Sequence, residues 1–406
     1  MNRSYLTKKT DLHKQNQHAS SIRPVNNNFA RMKKTALLFI STLLLFSLQG
    51  SPHYNSLYEA VPEFINNPGT TNITSNTTKS EMQKVSVTNR SFDGAITAKI
   101  FKSVLVDDNN TKWFLTEAGI VSFDGKKWTL SDKNNSVPTQ NLKDMAYQLS
   151  PEGAEVIIAS PNGASVAILP INETSGVTTY NSETSPIQSN NVIKLAIGKG
   201  DIKWFGTDKG IAGLSNKKWF TPAYEDSYPA IIFQAYPITS MATSPEGDSL
   251  YVGTQGAGIA RVYRDKVDAI SGASVYAQWG PIILPSDNIY SVYIASDRSK
   301  WFGTDLGVAK HTGDNTLENW TVYTTDDGLV NNFVQAIAED KKGRLWFGTK
   351  EGISVFDGTV WSSFTAADGL NSNNILTIAV DNDNVVWIGT DNGVISYGND
   401  AFVSYK

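Results

Sequence analysis

One short segment, an aromatic pair leading into Gly-Thr, returns seven times along this chain and constrains its fold more than any other feature. It stands as Trp113-Phe114-Leu115-Thr116, Trp204-Phe205-Gly206-Thr207, Tyr251-Val252-Gly253-Thr254, Trp301-Phe302-Gly303-Thr304, Trp346-Phe347-Gly348-Thr349 and Trp387-Ile388-Gly389-Thr390, with a degenerate copy at Ile157-Ile158-Ala159-Ser160. Successive copies lie 44, 47, 47, 50, 45 and 41 residues apart, the period of one four-stranded propeller blade. A second aromatic follows 15 residues after the anchor in four copies, as Trp128, Trp219, Trp361 and Phe402.

Each period reads as a meander. A β-rich run such as Asn374 to Val380 precedes the anchor strand, and an Asp-Gly such as Asp124-Gly125 or Asp357-Gly358 follows it, the preferred signal for a two-residue hairpin. No stretch of helical periodicity interrupts the pattern, which argues against parallel βαβ units. Sheets apolar on both faces bury themselves only against neighbours, and a closed ring leaves no face unpartnered. The expectation is an all-β fold: a seven-bladed β-propeller of four-stranded antiparallel blades over residues 97–406. Residues 84–91 offer one further outer strand; how the ring is latched is otherwise left open.

Upstream, Lys33 and Lys34 precede an apolar run from Ala36 to Leu48, with small residues Ser47, Gly50 and Ser51 behind it. This is the layout of a secretory signal, and the run is short for a bilayer span. Met32 stands directly before the lysines and offers a start of translation, so the reading is a polar leader over 1–31 and a signal peptide over 32–50. Residues 51–96 are crowded with Asn, Thr and Ser and are read as a flexible linker. The body is expected to be periplasmic or secreted, and not membrane-spanning once the signal is cleaved.

Residues 1–50 carry eight Lys and Arg against Asp11, which leaves −11 of charge on the remainder of a chain whose total is −4. An acidic body without a basic stripe repels phosphate backbones, so no nucleic acid is expected as a partner. With no cysteine, disulfides, thiolate metal sites and cysteine nucleophiles drop out. Of four histidines only His311 falls within the repeats. It is assigned to an exposed turn of the fifth blade, and one histidine is thin material for a triad or a metal site.

The anchor tryptophans recur at one strand position, as packing between sheets demands; the Gly after the aromatic pair suits close approach of neighbouring blades. Candidate ligand-binding residues are instead the variable ones just beyond the anchor strand: Glu117, Asp208, Gln255, Asp305, Lys350 and Asp391. On a propeller these loops and the blade-to-blade loops open on one face around the central channel. The latter contribute Asn190, Asp287, Asn332 and Asn373, each 14 residues ahead of its anchor aromatic. A ring of carboxylates and amides suits sugar hydroxyls, or a cation such as Ca²⁺; turn capping is the plainer role for Asp and Asn so placed. No catalytic residue, metal ligand or cofactor is assigned.

The best-preserved periods run from Asp326-Asp327-Gly328-Leu329 through Asn332 to Trp346-Phe347-Gly348-Thr349 and Phe356-Asp357-Gly358, and from Ala367-Asp368-Gly369-Leu370 through Asn373 to Trp387-Ile388-Gly389-Thr390. This pattern resembles the two-component regulator propeller repeat of periplasmic sensor regions in Bacteroidetes hybrid histidine kinases. The resemblance implies a sensor-type, non-enzymatic propeller whose partner is a glycan, a small molecule or a protein. The first, second and fourth periods lack Asp-Gly-Leu, and no kinase segment is recognised, so kinase activity is not carried over. The alternatives are an enzyme similar to streptogramin lyases, whose general base is a histidine, or a structural protein of the envelope.

Overall fold

A computed structural model describes residues 86–405, apart from 93–95, 132–137, 139, 172–175, 222–227, 248, 264–271, 277–283 and 314–318. The stretches read as leader and signal peptide, and most of that read as linker, lie outside the described residues.

The meander inferred from the repeats is the fold. Seven sheets follow one another in chain order: residues 101–131, 144–180, 192–220, 238–276, 289–323, 334–364 and 375–405 form blades one to seven, each with four consecutive antiparallel strands. Among the described residues the one α-helix is Tyr228–Ala235, between blades three and four, and no helix is long and apolar enough to cross a membrane. The anchor segment is the second strand of every blade and is buried throughout in most, as in Leu345–Thr349. Trp301, Trp346 and Trp387 are 4% exposed or less, so the tryptophans are core.

Each anchor aromatic sits in the seam between its own blade and the next. Trp301 of blade five packs on Phe347 and Phe356 of blade six, and Trp346 on Tyr397 of blade seven. The Gly two residues on lets the next inner strand approach: a Cβ on Gly348 would lie 2.6 Å from Ile375 Cγ2, and one on Gly389 of blade seven 2.6 Å from the Phe101 carbonyl oxygen of blade one. The seventh seam thus repeats the sixth, and the ring closes. Across it the Val104 N–H donates to Thr377 Oγ1, and Lys112 pairs with Asp381 at 3.3 Å.

Closure has a second component. Ser86–Arg90 pairs in parallel with Ala401–Tyr405 as a fifth, outermost strand of blade seven. The described propeller therefore begins at residue 86 rather than 97, within the stretch read as linker and at the place offered for an extra strand.

Two local features differ from the sequence reading. Asp-Gly does not make a two-residue hairpin: Phe356 pairs with Trp361 across a four-residue loop. Asp357 Oδ1 there accepts the N–H groups of Val360 and Thr359. The bonds from Val360 and then Thr359 hold the Asp357 carboxyl below its usual range, and Asp124 is lowered in the same way by Lys127 and Lys126. His311 is not in an exposed turn. It ends the strand Val308–His311, is 3% exposed and stacks on Trp320 at 4.5 Å; its pairing with Lys300, at the start of the anchor strand, sets it at the end of the blade away from the Gly-Thr turn.

Candidate functional site at the channel mouth

The Thr of each anchor segment shapes the loop that follows it. Its hydroxyl donates to the carbonyl three or four residues on in all seven blades: Thr116 to Gly119, Ser160 to Gly163, Thr207 to Gly210, Thr254 to Gly258, Thr304 to Gly307, Thr349 to Gly352 and Thr390 to Gly393, at 2.8–3.0 Å. The loop is thereby fixed as a tight turn, and the residue after the Thr is held at the rim. In six blades the inner strand enters the same rim through a β-bulge, blade two being the exception. Such an insertion re-aims one side chain. The bulged positions include Tyr290 and Gln335.

On this frame the predicted residues separate into three groups. Asn190, Asn332 and Asn373 are turn caps: their Oδ1 atoms accept the N–H of Ser182 at 2.8 Å, Thr325 at 2.8 Å and Ala366 at 2.6 Å. Asp287 accepts the N–H groups of Gly256 and Gly258 on its backbone oxygen, which ties blade five's entry loop to blade four. Glu117 also serves the backbone, accepting the N–H of Lys99 at 2.7 Å and of Ile100 at 2.9 Å.

The second group repeats in alternate blades. The residue just before the inner strand, one beyond the position chosen from sequence, donates its amide to the acid 17 residues later: Asn191 to Asp208 at 3.1 Å, Asn288 to Asp305 at 2.9 Å and Asn374 to Asp391 at 2.9 Å. Burial raises the Asp391 carboxyl, but hydrogen bonds from Ser372 and Asn374 outweigh it and hold the group below its usual range. Among the described residues no three His, Asp or Glu side chains gather within reach of one metal ion.

The third group is continuous. Gln255 of blade four bridges to Asn288 of blade five, which bonds Asp305, whose other oxygen Oδ1 is buried without a hydrogen-bond partner. Burial and the Asp305 charge push the neighbouring Tyr290 phenol upward. The Tyr290 ring meets Phe333 of blade six at 4.3 Å, and Lys350 Nζ lies 3.6 Å from the Phe333 centroid. Leu306 and Tyr236, 56% and 40% exposed, flank this arc on blades five and four. Three predicted residues, Gln255, Asp305 and Lys350, are thus linked across blades four to six through Asn288, Tyr290 and Phe333, while Glu117, Asp208 and Asp391 each stay on their own blade. Sequence reasoning missed Tyr290 and Phe333. The available signal was Phe333 standing where three other blades carry the paired Asn.

The model of the two component regulator propeller family matches residues 328–351 and 369–392. Among solved structures, the extracellular domain of what is described as a hybrid two component system, BT3049 from B. thetaiotaomicron, is similar at 18% identity and a TM-score of 0.62. That match covers 77% of this chain and 41% of the other, so the chain spans well under half of that structure. A streptogramin B lyase (16% identity, TM-score 0.54, 75% of this chain and 95% of the other) and a catalytically inactive virginiamycin B lyase from Staphylococcus aureus with quinupristin (14%, 0.55, 76% and 97%) share the architecture. No curated protein sequence matches the chain. At these identities the structures speak for the fold: the chain is a seven-bladed propeller, and two of its segments, at the entry of its sixth and seventh blades, match the two component regulator propeller model.

Proposed function

We propose that the chain is an extracytoplasmic, non-enzymatic sensor-type propeller that binds a glycan at the channel mouth on blades four to six. The observation that carries this reading is the Tyr290–Phe333 ring pair set between Lys350 and the Asn288–Asp305 pair. Aromatic faces beside a carboxylate, an ammonium and a primary amide suit a pyranose, whose C–H face packs on rings while its hydroxyls bond the polar groups. The repeat family and the secretory layout of Lys33 to Ser51 support a sensor outside the cytoplasm. A lyase reading has no comparable support, because among the described residues the sole histidine, His311, is buried away from the mouth.

The test is a titration of the full chain against a glycan panel, followed by Phe333→Ala, Tyr290→Ala and, as a control outside the arc, Asp208→Ala. Loss of affinity of about tenfold or more in the two aromatic variants, with Asp208→Ala near wild type, is the expected result. Undiminished binding in folded Phe333→Ala and Tyr290→Ala proteins would remove the ligand from this arc.

A further inference from the structure

The seam between blades two and three departs from the other six. In the closing seam, the indole of Trp387 lies under Lys112 Nζ at 5.2 Å, stacks on Tyr405 at 5.7 Å and 23° and meets Phe123 at 5.5 Å. It pairs across its own sheet with Ser396. Its Nε1–H donates to Asp381 Oδ2 at 2.9 Å, and the same oxygen takes Lys112. Blade two has Ile157 at the anchor position, the one anchor without an aromatic ring, whereas blade four, which also lacks the indole, keeps a ring in Tyr251.

The surroundings of the indole are kept in part, the lysine and the tyrosine matching in type. By strand register, Lys203 stands for Lys112, Leu214 for Phe123, Tyr180 for Tyr405 and Val166, paired with Ile157, for Ser396. All four line one cleft of about 510 Å³ at this seam, with Glu155 beside them. The carboxylate at this seam is Glu155, two residues ahead of Ile157, whereas Asp381 stands six ahead of Trp387. Glu155 is 5% exposed, pairs with Lys203 at 3.0 Å, and accepts from Gln148 Nε2 at 2.8 Å and Ser150 Oγ at 3.0 Å. A carboxylate has about four acceptor sites, and three are taken. The cleft also lies by the turns between first and second strands, at Pro151 and Asp201, the end of the ring opposite the mouth.

We infer that this cleft is a second binding site, for a planar aromatic molecule carrying a ring N–H, an indole, which takes the place left by the absent tryptophan. The ring lies under the Lys203 ammonium and against Tyr180, Val166 and Leu214, and the N–H donates to the remaining acceptor site of Glu155. An ammonium over a desolvated ring and a charge-assisted hydrogen bond give orientation, and the volume falls in the range of small-molecule sites. The chain supplies a partial template in Trp387, with a lysine and a tyrosine kept at the same register positions and a carboxylate supplied from a different one.

Indole itself is the probe, titrated into the full chain by calorimetry with Tm followed in parallel. Expected are saturable one-to-one binding, a rise in Tm of a few degrees, and binding about tenfold weaker for benzofuran, which has the same shape but no N–H. Ile157→Trp fills the cleft, abolishes indole binding and raises Tm. Lys203→Met weakens binding about tenfold, and decides the matter should Ile157→Trp not fold. Phe333→Ala leaves indole binding unchanged, which separates this site from the mouth. No saturable binding to the wild-type chain, or binding that a folded Ile157→Trp or Lys203→Met variant retains in full, overturns the assignment.

Discussion

Truncating Asp381 tests how the ring is held closed. Asp381 is 3% exposed; its Oδ1 accepts the N–H groups of Asp383 and Val385 at 2.9 Å each. Its Oδ2 accepts Trp387 Nε1 at 2.9 Å and faces Lys112 Nζ at 3.3 Å. In Asp381→Ala the indole N–H is left without an acceptor, which costs about 1–3 kcal/mol. The greater loss comes from Lys112, whose side chain is 5% exposed and keeps one carbonyl partner, Asn110, at 2.7 Å. An ammonium stripped of its buried counter-charge costs about 3–5 kcal/mol. These penalties share one site and do not add in full, so the expected loss is about 4–5 kcal/mol, a large part of the roughly 5–15 kcal/mol that holds a domain folded. Lys112→Met leaves Asp381 with three donors and should cost about 1–2 kcal/mol. The double variant should then be more stable than Asp381→Ala by about 2 kcal/mol, since the orphaned charge is gone. Urea unfolding followed by tryptophan fluorescence measures all four proteins. A loss under about 1 kcal/mol in Asp381→Ala, or a double variant no better than the sum of its parts, refutes the reasoning.

Three further outcomes are expected. Burial pushes the Asp340 carboxyl up, but hydrogen bonds from Trp346 and Arg344 prevail and hold it below its usual range. Its contribution is therefore present above the unfolded pKa of about 3.9 and is lost as pH falls through the lower folded value; the acid limb of stability against pH should be shallower in Asp340→Asn. Gly352 has φ +129° and a Cβ there would stand 2.4 Å from the Phe364 carbonyl oxygen, whereas Gly358 at φ +101° has open space around it. Gly352→Ala should cost about 2 kcal/mol or more and Gly358→Ala about 1 kcal/mol, and equal midpoints in urea would discount the close approach. Removing residues 1–90 strips the fifth strand from Ala401–Tyr405, and the bared edge should lower Tm and shift the protein to larger species in size-exclusion chromatography.

The ring was legible because its cause is repeated: seven Thr or Ser hydroxyls make the same turn bond, and a periodic sequence states a periodic contact. Less legible was what each repeat owes to side-chain polarity. Asp107, Asp340 and Asp381 each stand six residues ahead of a tryptophan and accept its Nε1–H at 2.9–3.0 Å. The spacing was there to read, but Asp in a turn suggests capping first, and these carboxylates do both. Ser86–Arg90 escaped a firm assignment because an outer strand, exposed along its whole length, needs no apolar alternation. His311 was misplaced because its burial is set by Trp320, its partner on the neighbouring strand, a pairing that loop lengths alone do not reveal.

The candidate mouth residues follow a different logic, and it explains which of them the structure brings together. Asn190, Asn332 and Asn373 were chosen because they recur, and recurrence is the mark of a role every blade must fulfil, here the capping of its entry loop. A ligand meets one arc of the ring, so the residues that serve it need not repeat. Phe333 breaks an Asn pattern and brings Tyr290 and Lys350 together; Ile157 stands where five other blades carry Trp, in the blade whose seam with the next holds the cleft lined by Lys203 and Glu155. In a repeat protein the interruptions therefore carry more functional information than the motif, provided the neighbours of the interrupted position are still built for the residue that is missing. At Ile157 the lysine and the tyrosine are, and on that ground the seam between blades two and three is proposed as a site rather than as a packing defect.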